Sequence, residues 1–281
     1  GLAVAQLYLF CAFITAYEVI SRYLFNSPTQ WVFETVMVLC ASAWMLSAGY
    51  ITLHKRHIGI TVIYVLVDKA KQWKLDTFAY IIGIISLWLF VDDTLVRAIE
   101  SVEMVERGGT AWNSPQPLIL KTMLVAGAFI YLVQLLVNIY RHFGSKIIKN
   151  IVTLFSFIII LRLVLVFIEQ TFGSGGVASS INSYFSLIGG YLEPNQYWDI
   201  RGISIGSASM LIVGLMILLM MTGMPLGIVT MFVSILTALM FFGYNGMYLV
   251  STNAFGLLEK YPLVAVPLFV LMASILEKAG V

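Results

Sequence analysis

Charge is scarce in this chain. Only 11% of its 281 residues are Asp, Glu, Lys or Arg, against 60% hydrophobic residues. A soluble domain carries about a quarter charged residues. With a mean hydropathy of +0.95, this composition excludes an ordinary soluble fold and indicates an all-α integral membrane protein. The net charge of +2 is too small to suggest a nucleic-acid partner. Cysteine is rarer still: Cys11 and Cys40 are the only two, each inside an apolar run. Neither a metal cluster nor a disulfide framework is expected from them. The three histidines, His54, His57 and His142, stand beside basic residues at segment ends. A haem-binding membrane subunit needs histidines deep in its helices, so their absence there argues against a cytochrome. The chain has no Walker-type phosphate loop, no paired catalytic carboxylates and no nucleophile–base set. No cleavable signal pattern is visible, and the first residues already belong to an apolar run, leaving open a native start further upstream.

What is present is a series of long apolar segments. About 20 apolar residues cross a bilayer. Candidate spans lie at 2–25, 31–53, 75–96, 117–140, 151–168, 203–221 and 225–242. Asn26, Ser27 and Pro28 close the first, and Trp31 opens the second at interfacial depth. Residues 58–73 mix Ile and Val with Asp68, Lys69 and Lys71, as an interfacial helix would. Residues 97–116 are polar and read as a loop, and 172–201 as a longer one. Thr222, Gly223, Met224 and Pro225 form a tight link.

Lysine and arginine set the orientation. Lys55, Arg56, Lys69, Lys71 and Lys74 follow the second span, and Arg141, Lys146 and Lys149 follow the fourth. The opposite loops carry Glu100, Glu103, Glu106, Glu193 and Asp199. The basic side is therefore read as cytoplasmic, with 172–201 outside, Met224 and Pro225 inside, and Tyr244 to Gly246 outside.

The last segment, 261–276, is short for a span and carries Pro262 and Pro267 in its first turns, followed by Leu268 and Phe269. Proline cannot donate a backbone hydrogen bond. Irregular backbone at membrane depth survives only inside protein or against a water-filled cavity, and secondary transporters build sites from such helices. Two readings are open: an ordinary helix start with a kink, or the start of a re-entrant hairpin.

Several stretches resemble a known family. Ser21-Arg22-Tyr23-Leu24-Phe25-Asn26-Ser27-Pro28, then Trp31 and Glu34, His57-Ile58, and finally Trp112, Pro115, Pro117 and Lys121 occur in the order found in the small membrane subunit of tripartite ATP-independent periplasmic (TRAP) transporters. Arg56 stands where that family commonly has glycine. Residues 203–281 resemble the beginning of the large membrane subunit, through Gly223-Met224-Pro225 and Leu263-Val264-Ala265-Val266-Pro267-Leu268-Phe269. Ala273 replaces a usual glycine there. Residues 146–171 resemble the linker helix of fused versions, where one extra crossing joins a subunit ending inside to one starting outside.

The resemblance implies a division into a small-subunit-like scaffold (1–145), a linker helix (146–171), a periplasmic loop (172–202) and the start of a transport domain (203–281). It implies a multi-pass protein of the bacterial inner membrane that imports an organic acid, such as sialic acid or a C4-dicarboxylate, with sodium as coupling ion and no other cofactor. Its expected partners are a periplasmic substrate-binding protein, the rest of the large subunit and membrane lipids. Most sodium and substrate ligands are expected beyond residue 281. Two rivals from other classes are a structural membrane subunit of a respiratory or redox complex and a membrane enzyme acting on lipid.

Charged residues inside spans are costly and invite a role. Glu18 and Arg22 share a helix face at i, i+4, and Arg22 with Glu18 or Glu34 reads as a scaffold clamp. Asp92 and Asp93, near Arg97, read either as a solvated helix end or, with Glu100 and Glu103, as a docking surface for the binding protein. Arg162 interrupts the linker helix, with lipid headgroups, Glu169 or an acid on another helix as possible neighbours. Lys121 reads as an outer anchor. Ser251, Thr252 and Asn253 read as a polar loop at the membrane edge, or as oxygen donors for sodium.

Overall fold

The computed structural model describes residues 2–172, 202–260 and 262–279. These are helical and contain no strand; a single antiparallel bridge, between Gly59 and Pro225, stands outside the helices. Helix α1 spans Leu2–Leu24 and α2 Val32–Leu53. Between them Asn26 takes φ 49°, and Ser21 Oγ donates to the Ser27 carbonyl at 2.7 Å, which turns the chain back. A short helix α3 (Val62–Leu66) precedes α4 (Lys69–Glu103), α5 (Gln116–His142) and α6 (Lys146–Phe172). The second part consists of α7 (Ile205–Met221), α8 (Leu226–Phe242), a 3₁₀ turn (Tyr244–Gly246), α9 (Met247–Leu258) and α10 (Pro262–Ala279).

Among the described residues, five helices, α1, α2, α4, α5 and α6, are long and apolar enough to cross a membrane; α7 and α8 are apolar but only 17 residues each. The largest departure from the sequence reading is α4. At 35 residues and about 1.5 Å per residue it exceeds the hydrocarbon thickness of about 30 Å. It absorbs the end of the expected interfacial stretch 58–73, leaving only α3 there, and the start of the expected loop 97–116. Lys69, Lys71, Lys74, Glu100 and Glu103 are good helix formers, and the first glycine after the span is Gly108. Polarity marks where the membrane ends, and helix continues past it. The linker helix is likewise longer than 151–168. The loop expected over 172–202 lies almost wholly outside the described residues.

The core runs through α2, α4 and α5. Leu87, Leu120, Leu132 and Leu135 are buried there, and Met224, Ile228 and Val229 of the second part join the same cluster. In lipid the apolar effect between helices is weak, so close packing matters most, and small residues permit it. Gly127 of α5 is such a place: a Cβ added there would lie 2.6 Å from the Met45 Cβ of α2. A second contact joins the two parts at one end of the bundle, where the Leu226 N–H donates to the Ile58 carbonyl at 2.9 Å. The 54–61 link and the 222–225 link thus share one end, as span parity requires. Gly223 has φ 86°, a conformation that glycine adopts without penalty.

Candidate functional site

The apolar length of α4 places two carboxylates and a guanidinium inside the bundle. Asp93 and Arg97, one turn apart, pair through two bonds of 3.0 Å. Ser251 of α9 donates to Asp93 Oδ2 at 2.5 Å and accepts from Arg97 Nε at 2.8 Å. The Arg97 guanidinium lies 4.3 Å over the Tyr248 ring. Asp92 turns toward other partners: Arg162 Nη2 of α6 donates to its Oδ2 at 3.5 Å, and the Tyr244 hydroxyl donates to the same oxygen at 3.3 Å. The side chains of Asp92 and Arg162 are only 13% and 14% exposed. Asp92, Asp93, Arg97 and Arg162 therefore join in one network that ties α4 to the linker helix and to the second part. Buried pairs of this kind hold geometry more than they add net stability. Asp92 Oδ1 and Trp88 Nε1 are buried without a hydrogen-bond partner among the described residues.

This corrects the sequence reading of Asp92 and Asp93 as a solvated helix end or a docking surface. The helix does not end there, and α6 and α9 cover both acids. Glu100 and Glu103 are exposed near the end of α4. Ser251, Thr252 and Asn253 stand on α9, not in a polar loop. Ser251 is buried, whereas Thr252 and Asn253 bond their own helix carbonyls at 2.7 and 2.8 Å.

A cavity of about 790 Å³ opens beside this network, between the 104–115 loop and α9, with Arg97, Glu106, Lys121 and Tyr248 on its walls. Lys121 pairs with Glu106, and Ser101 Oγ donates to the same carboxylate at 2.6 Å. Partial burial opposes ionisation of Glu106, but the Lys121 and Ser101 bonds outweigh it and hold the carboxyl below its ordinary range. Glu34 accepts from Thr110 and Ser114, which fixes that loop over α2. The alternative clamp of Arg22 with Glu34 is therefore not formed. Arg22 bonds Glu18 on its own helix, at 3.1 and 2.6 Å, and Glu18 also accepts from the Thr29 N–H at 3.2 Å.

At the opposite end a smaller cavity of about 300 Å³ lies between the 52–64 region, α5 and the Gly223–Pro225 link. His57 Nε2 sits 2.8 Å from Thr52 Oγ1, and its ring stacks on Tyr131. Burial pushes the His57 pKa down. The last helix, α10, begins at Pro262 and includes Pro267, which has no N–H to offer the Leu263 carbonyl; Phe269 is exposed. No group of three or more metal-ligating His, Cys, Asp or Glu side chains occurs among the described residues.

Sequence reasoning singled out Asp92, Asp93 and Arg162, but not Tyr244 or the link from Ser251. The Asp93–Arg97 spacing was visible. Nothing in the sequence signals a serine 158 positions away as the third member.

One family model matches the chain, over residues 11–145: tripartite ATP-independent periplasmic transporters, DctQ component. Neither curated proteins nor solved structures give a match. The matched segment covers α2 to α5 and the second half of α1, and so holds the core helices and one side of the charge network. Residues 11–145 are thus similar to the DctQ component of the TRAP transporters.

Proposed function

We propose that this chain is the fused form of such a transporter, with the small component at 1–145, a linker helix at 146–171 and the start of the large membrane component at 203–281. It works as a membrane component of a sodium-coupled secondary transporter of the bacterial inner membrane. A periplasmic binding protein delivers an organic acid of the sialic acid or C4-dicarboxylate class. No bond is made or broken in the transported molecule.

The observation that carries this reading is the network around Asp92 and Asp93. Here α4 supplies two acids and one arginine, and the linker and second part supply Arg162, Ser251 and Tyr244. Such a joint suits a scaffold holding its partner in register. Beyond it, Pro262, Pro267, Leu268 and Phe269 are the candidate start of a re-entrant hairpin in the moving domain. Transport then follows alternating access, with that domain moving against a fixed scaffold.

The test is reconstitution of the full-length transporter in liposomes with its binding protein. Uptake of the acid is expected with an inward sodium gradient and without ATP. Accumulation that survives collapse of the gradient rejects the coupling.

A further inference from the structure

Cys11 of α1 and Cys40 of α2 are the only cysteines of the chain, and the fold brings them together. Their sulfurs lie 3.4 Å apart, with the Cys40 S–H directed at the Cys11 sulfur. Cys11 in turn faces the Val36 carbonyl at 4.0 Å. Both are free thiols, 1% and 0% exposed, in a small cluster with Val32 and Val36. Sulfur atoms already in van der Waals contact need only close to about 2.0 Å to bond.

The surroundings decide which reagent can reach them. α1 is a peripheral helix: Phe10, Phe13 and Tyr17 on its outer side are 58%, 67% and 54% exposed, a surface suited to lipid. A water-soluble oxidant is kept from the pair by that apolar shell. A lipid-soluble one meets α1 directly and reaches Cys11 by a small displacement of that helix.

We propose that Cys11 and Cys40 form a membrane-embedded dithiol that a lipid-soluble oxidant of the quinone class converts to a disulfide, stapling α1 to α2. The Cys11 sulfur adds to the quinone ring, and its proton passes to a quinone oxygen. The Cys40 sulfur then attacks the Cys11 sulfur. The S–S bond forms, the carbon–sulfur bond breaks, and its electron pair leaves with the ring. The Cys40 proton goes to the second oxygen. Two thiols lose two electrons and two protons, and the quinone leaves as hydroquinone.

The test uses the full chain, reduced and reconstituted in liposomes, exposed to decyl-benzoquinone or, in parallel, to oxidised glutathione. Free thiols are counted after denaturation, and the joined peptides are identified by mass spectrometry. The expected result is a fall from two thiols to none with the quinone, an intramolecular Cys11–Cys40 peptide, and recovery of both thiols on reduction. Glutathione leaves both thiols free. Cys40→Ala forms no such cross-link and keeps α1 in place, because alanine fits the same apolar cluster. Two thiols surviving the quinone, a stable quinone adduct on either cysteine, disulfides between chains, or equal oxidation by glutathione each overturn the proposal.

Discussion

Two ion pairs in this protein have the same spacing and equally covered carboxylates, Glu18 and Asp93 at 12% and 13% exposed, but arginines in different settings. Glu18 and Arg22 stand four apart near the end of α1, and Asp93 and Arg97 stand four apart within α4. Both pairs close, at 2.6 and 3.0 Å. Arg22 has a side chain 51% exposed, and Arg97 only 20%. The first pair touches its own helix and Thr29. The second reaches Ser251 on another helix and sits next to Asp92, which draws in Arg162 and Tyr244. Spacing alone says that a pair can form. What covers it decides whether it matters, because exposed pairs are screened and buried ones leave an unpaired charge when broken.

The sharpest way to break this comparison is Arg162→Leu. It removes a guanidinium from the buried Asp92 carboxylate and should cost about 3–5 kcal/mol, seen as a large drop in thermal stability and in monodispersity on size exclusion. Substrate affinity of correctly assembled protein should change little. The double variant Asp92→Leu with Arg162→Leu should recover part of the loss, because the Asp92 carboxylate is then no longer stranded. A stable single variant with greatly weakened substrate affinity assigns Arg162 to the transport site instead.

Ser251→Ala should do less. Asp93 and Arg97 keep each other, so the loss is about 1 kcal/mol, with the same readout. An effect as large as that of Arg162→Leu means that the serine, not the ion pair, holds α9.

The third test moves to the other end of the bundle. Burial holds the pKa of His57 below its ordinary value of 6.5, so the unfolded chain takes up this proton more readily than the folded one. The contribution of neutral His57 is complete above pH 6.5 and declines as the pH falls below it, toward the lower folded value. Glu106 behaves as a depressed carboxyl: its contribution stays intact until the pH drops below its ordinary value of 4.5, and is lost as the pH falls through the folded value. A plot of melting temperature against pH should therefore bend first just below 6.5, and His57→Phe should remove that bend alone. A bend that persists in the variant belongs to another group.

Smallest of all should be Arg22→Ala. Arg22 is half exposed, and Glu18 keeps Thr29, so the change should stay within about 1 kcal/mol and shrink further in salt. A loss comparable to Arg162→Leu would show that exposure is a poor guide to the weight of a charge in this fold.

Much of the architecture was legible beforehand. The apolar runs marked the helices, because a bilayer demands long apolar segments with satisfied backbones. Asn26, Pro28, Gly223 and Pro225 marked turns for the same local reason. The ends of α4 are not legible in this way, because charge ends the membrane there and not the helix, which runs from Lys69 to Glu103. The acids of α4 were found as anomalies but placed in water, since their cover comes from α6 and α9.

The amino-acid sequence by itself determined the membrane class, the order of the apolar segments and the resemblance of residues 1–145 to a TRAP component. All three rest on local composition and motif order. Only the tertiary structure decided that Asp92 meets Arg162, that Ser251 completes the Asp93–Arg97 pair, and that Cys11 touches Cys40. Those contacts join residues between 29 and 158 positions apart. They arise from how whole helices rotate and pack, which no local pattern records.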